Sequence, residues 1–165
     1  MQGGIRSKGY SEIITKAVCG LGRKTFRLER VLLIPEGQSP ERVLGSVLTQ
    51  ISNLEASVPE RSGPDAAMVP ISGRFDINVW YAHSGHRSTA LARETVRYTE
   101  LVPITGWSSI ALGDLEASAT MLRTPECVEL GSTGDNRIRV AVEFTIQAEV
   151  IGETKVLVEV FDLRD

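Results

Sequence analysis

The chain has 165 residues, 42% apolar and 24% charged, the composition of a globular protein with one ordinary core. Its net charge of −3 and pI near 5.5 exclude a general nucleic-acid binder, which needs a basic surplus to displace counterions from phosphate. No apolar run approaches the ~20 residues of a membrane-crossing helix, so membrane insertion is not expected.

Residues 1–10 are polar and glycine-containing and read as a flexible extension ahead of one domain over 11–165. They lack the apolar stretch of a signal peptide, so the chain is expected to be made and kept in a cytoplasm. Glu12–Cys19 and Lys24–Ile34 read as the strands of a hairpin that turns at Gly20-Leu21-Gly22. The string Cys19–Thr25 looks faintly like a phosphate loop, but Arg23 stands where that motif requires Gly before Lys. Pro35–Pro40 is a loop. Over Glu41–Ser52, Val43, Leu44, Val47, Leu48 and Ile51 have helical spacing, whereas Gly45 costs a helix about 1 kcal/mol relative to Ala. A short helix, or a helical turn leading into a strand, is expected there. Ser57–Pro64 is rich in breakers and reads as a loop.

Arg74–Ala82 alternates Phe75, Ile77, Val79 and Tyr81 with Arg74, Asp76, Asn78 and Trp80, the two-residue period of a half-buried strand. Ser84–Arg87 is a turn, and Thr89–Val102 returns as a more polar strand suited to an edge. His83 and His86 share that turn. A metal site needs further ligands, so a solvated turn is the plainer reading and no cofactor is expected. Gly106–Ile110 is not a nucleophile elbow, because Ile110 replaces the second Gly. No catalytic constellation emerges.

Cys127–Leu130 reads as a short strand before a turn at Gly131–Asp135. Arg137–Glu149 carries the strongest pattern, with Ile138, Val140, Val142, Phe144, Ile146 and Ala148 on one side. Lys155–Phe161 follows as a second run, and the pair is expected to form a hairpin around Ile151–Thr154. Together these elements predict an all-β protein, an antiparallel two-layer β-sandwich with at most a short helix.

The features that lean toward function are those of binding. Trp80 stands in a polar row, so it is either covered by the second sheet, the first reading, or part of an interface with Asn78 and Tyr81. Leu157 interrupts the polar face of its strand between Lys155 and Glu159. Arg137 and Arg139 read most plainly as a solvated strand face with Glu partners, and more sharply as forks for carboxylates across subunit contacts. Cys19 and Cys127 have no metal spacing; they are small buried residues on the plain reading and a crosslink on the sharper one.

Five strings carry a resemblance: Ser11–Lys24 (SEIITKAVCGLGRK), Arg74–Ser84 (RFDINVWYAHS), Glu94–Leu101 (ETVRYTEL), Arg123–Leu130 (RTPECVEL) and Glu143–Val160 (EFTIQAEVIGETKVLVEV). In this order, over almost the whole chain, they resemble the outer spore coat protein CotE family of endospore-forming bacteria. The resemblance implies a morphogenetic structural protein without enzymatic activity, made in the mother cell and placed in the spore coat. It implies self-association as a homo-oligomer, contact with the scaffold ATPase of the basement layer, and recruitment of outer-coat proteins. A monomeric adaptor of the spore surface is the alternative. The sequence departs from the family over 43–70, and it ends at Asp165 where family members continue into an acidic tail.

Overall fold

The computed structural model describes residues 8–50, 54–59, 67–106 and 113–161. Among them seven strands account for the regular structure: β1 (Lys8–Leu33), β2 (Arg42–Gln50), β3 (Glu55–Ala56), β4 (Ala67–His83), β5 (Ser88–Ile104), β6 (Glu116–Ser132) and β7 (Arg137–Phe161). No helix occurs among the described residues. One sheet has the order β1-β7-β6. In the other, β4 is central, with β5 along one side and β2 and β3 sharing the other side. All pairings are antiparallel.

The two sheets face each other as the alternation requires. Ile138, Val140, Val142, Phe144, Ile146, Ala148 and Val150 of β7 are fully buried against Val69, Ile71, Phe75, Ile77, Val79 and Tyr81 of β4. Phe144 centres an aromatic cluster, with ring centroids 4.8 Å from Tyr98, 5.5 Å from Phe26 and 6.0 Å from Phe75. The sandwich and the polar edge strand β5 thus follow the sequence pattern.

Several sequence expectations are corrected. Gly20-Leu21-Gly22 is not a turn, because β1 runs straight through it and pairs with β7 from Lys8 to Leu33. Gly22 serves close approach instead: Leu21 and Thr105 exchange backbone hydrogen bonds of 3.1 and 2.9 Å, and a Cβ on Gly22 would overlap the Pro103 carbonyl. Cys19 is the extra residue of a β-bulge between Val18 and Gly20. Ile151–Thr154 is likewise no hairpin, since β1 gives β7 one continuous partner through Ala17 opposite Gly152 and Ile13 opposite Val156.

Of the stretch with helical spacing, Arg42–Gln50 is strand β2, and Ile51 and Ser52 lie outside the described residues. A bulge at Leu44 adds one residue between Val43 and Gly45 and breaks the two-residue period, which imitates a helical repeat. The short strand at Cys127–Leu130 is the end of the longer β6, hidden by three register shifts and by Pro125, tolerated because β6 is an edge. Lys8, Gly9 and Tyr10, assigned to the extension from sequence, are paired opposite Phe161, Val160 and Glu159. Residues 1–7 and the Trp107–Ile110 part of the elbow-like string lie outside the described residues.

Candidate assembly surfaces

On the outer side of the β4 sheet, Trp80 lies between Gly45 of β2 and Leu91 of β5 in the ladder. It is 40% exposed, so the first reading, cover by the second sheet, is corrected. The cause is phase: Phe75, Ile77, Val79 and Tyr81 take the inward positions and turn Trp80 outward. No atom stands within 4 Å of where a Gly45 Cβ would sit, so one flank of the indole is open. Val47 and Leu91 are exposed beside it. An exposed aromatic flanked by Val47 and Leu91 on a sheet is an arrangement suited to anchoring protein contacts.

Below this patch the sheet is locked by polar contacts. Asn78 donates Nδ2 to the Val47 carbonyl at 3.5 Å. Asp76, buried at 4% exposure, accepts hydrogen bonds from Thr95 Oγ1 at 2.5 Å, Arg93 Nε at 3.1 Å and Arg93 Nη2. The Thr95 hydroxyl first, then the Arg93 guanidinium, hold the Asp76 carboxyl below its ordinary range. Tyr81 does not join Trp80 on this face. It is 1% exposed, its hydroxyl hydrogen-bonds Gln38 Oε1 at 3.0 Å, and burial raises its pKa.

The outer side of the β1-β7-β6 sheet is a lattice of opposite charges. Arg27 meets Glu129 at 2.7 Å and Glu143 at 3.4 Å, and Arg123 meets Glu126 at 2.7 Å and Glu143 at 3.6 Å. Arg139 meets Glu29 at 2.5 Å; this hydrogen bond raises the Arg139 pKa and lowers that of Glu29. Arg139 is thus engaged within its own chain. Arg137, opposite Leu33 at the end of β7, has no ion pair among the described residues. Leu157 is 67% exposed on this side, near Tyr10 and Ile14 and between Lys155 and Glu159.

The histidine turn is built on a carboxylate. Glu41 accepts hydrogen bonds from the backbone of Gly85 at 2.8 Å and His86 at 2.9 Å, and these lower its pKa. Ser84, Gly85 and His86 all have positive φ, and the amides of Gly85 and His86 converge on it. No group of three or more His, Cys, Asp or Glu is placed to hold a metal among the described residues. Cys19, beside Val150 and Ile151, and Cys127, opposite Val142, are both free thiols. They are separated by about eight residues along β7, roughly 26 Å at the rise of a strand. A disulfide within one chain needs Cα atoms within about 7 Å.

The sequence reading missed one surface. β6 ends opposite Ile151, so beyond that point β7 pairs only with β1 among the described residues. Residues 8–17 and 152–161 therefore continue beyond β6 as a two-stranded arm, buried at its base at Gly152 and more exposed toward Val160. Its signal was the even-numbered alternation of β7, which keeps its phase from Ile138 to Val160.

No curated protein and no solved structure matches the chain. The family model described as outer spore coat protein E matches residues 9–164, spanning both sheets and the arm. The chain therefore belongs to the outer spore coat protein E (CotE) family.

Proposed function

We propose that this coat protein is a structural building block that binds copies of itself and recruits other outer-coat proteins onto the forespore. The observation that carries the proposal is Trp80, exposed with Val47 and Leu91 on one sheet while the arm projects from the other. Two distinct surfaces on one rigid sandwich give the molecule two valences. Contacts between unlike patches that do not close into a ring extend into filaments or layers, the geometry a shell requires. The scaffold ATPase of the basement layer and the outer-coat proteins, implied by the family resemblance, are the proposed further partners.

Light scattering on the purified chain across a concentration series, with and without reductant, tests this reading. A discrete oligomer or a polymer that grows with concentration is the expected result. Sensitivity to reductant would bring Cys127, the less buried thiol, into a crosslink between chains. A monomer at every concentration would overturn self-assembly and leave the monomeric adaptor, with the Trp80 patch as its docking site.

A further inference from the structure

The arm has two unlike faces. Register places Tyr10, Glu12, Ile14 and Lys16 on one side with Glu153, Lys155, Leu157 and Glu159. This side carries all the arm's charges, and Lys155 meets Glu12 at 3.1 Å while Lys16 meets Glu116 at 2.5 Å. The other side holds Ser11, Ile13 and Thr15 opposite Val158, Val156 and Thr154, with Val160 beyond, and has no charged residue. Ile13, Val156 and Val160 are 43%, 37% and 47% exposed.

This uncharged side is the inner face of the sandwich carried onward. Val150, Gly152, Thr154, Val156, Val158 and Val160 continue the row that begins at Ile138. Up to Val150 that row is covered by a second layer, the β4 sheet. Past the buried Gly152 the same kind of face is more open, with Ile13, Val156 and Val160 exposed. A face without charge offers nothing to an acidic or basic partner, and any ion set against it is buried unpaired. Its fitting cover is an antiparallel β-layer of small branched residues, equally free of charge. The arm of another copy is such a layer, of matching length.

We infer that the arms of two copies stack face to face about a twofold axis, through Ile13, Val156, Val158 and Val160. This contact rests on the self-assembly reading and gives it a locus. Each arm is about 33 Å long and roughly 10 Å wide by strand dimensions. That footprint, on the order of 330 Å², is well short of the ~800 Å² per partner of a standard stable interface. The contact is therefore weak by itself, makes association depend on concentration, and adds to contacts made elsewhere on the sandwich.

The test compares the full chain with the double variant Val156→Asp/Val160→Asp, and with Leu157→Asp on the opposite face, by light scattering over a concentration series. The expected result is a shift of the association midpoint to at least tenfold higher concentration for the double variant and none for Leu157→Asp. Should the double variant fail to fold, alkylation rates of Val156→Cys and Leu157→Cys answer the same question. The thiol at 156 is to become at least tenfold protected as the protein associates, and the thiol at 157 is not. A wild-type chain that assembles while the double variant assembles equally well, or while both thiols behave alike, overturns the arm contact and leaves self-assembly standing. A wild-type chain that stays monomeric overturns both.

Discussion

Tyr98 of β5 stands directly opposite Gly73 of β4, and its hydroxyl fills the space that a Cβ on Gly73 would need. The ring also packs against Phe75 and Phe144, so it has little room to retreat. Burial removes the hydroxyl from water, finds it no hydrogen-bond partner among the described residues, and pushes its pKa up to about 12. Gly73→Ala is expected to destabilise by about 1–3 kcal/mol through overpacking. Tyr98→Phe, which removes an unsatisfied polar group while keeping the ring, is expected to be neutral or stabilising by up to about 1 kcal/mol. Urea unfolding midpoints of the two variants check both.

Asp76 gives stability an acid limb. Its pKa is depressed in the folded chain, so the folded state favours the carboxylate more than the unfolded state does. The resulting stabilisation is present above the ordinary value of 3.8 and is lost as pH falls through the lower folded value. Asp76→Asn is expected to be less stable at pH 7 and to lose part of the acid dependence. Thermal unfolding between pH 2 and pH 7 measures this.

Gly22 should tolerate no side chain. A Cβ there meets the backbone of Pro103, not the movable end of a side chain. Gly22→Ala is expected to break the bridge between Leu21 and Thr105 and cost at least about 2 kcal/mol, the range of overpacked sites. Faster hydrogen exchange at the Leu21 and Thr105 amides would mark the site of the damage.

Trp80 tests the outer patch. Trp80→Ser on an exposed sheet face is expected to shift stability by less than about 1 kcal/mol. Capture of coat proteins should fall by roughly thirtyfold or more, the loss of about 2 kcal/mol typical of an aromatic anchor. Unfolding of the variant, or unchanged capture by a folded variant, would remove the patch from the binding account.

The inner faces were legible because an unbroken two-residue period reports directly on burial, as in the row from Ile138 to Ala148. Where a bulge inserts a residue the period fails, which is why β2 imitated a helix at Leu44 and most of β6 stayed hidden. Glycine misled for a related reason. It serves tight turns and close approach alike, and only the neighbouring chain, Thr105 against Leu21 or Ala17 against Gly152, shows which use applies. Trp80 was recognised as unusual, but its exposure depended on which sheet face the second layer covers. Tyr81, its neighbour in sequence, faces the opposite way and is buried. The arm escaped notice because nothing local reveals where β6 stops.

The pairing of β1 with β7 joins segments as far apart as Thr25 and Thr145, whose hydroxyls meet at 2.8 Å across 120 positions. During synthesis β1 emerges long before its partner and has no ladder to join, so this sheet is among the last parts of the molecule to form. The arm is made of those same two strands. A nascent or truncated chain therefore carries no arm, so under the proposed arm contact competence to associate would arrive only with a finished fold, a built-in delay for half-made molecules.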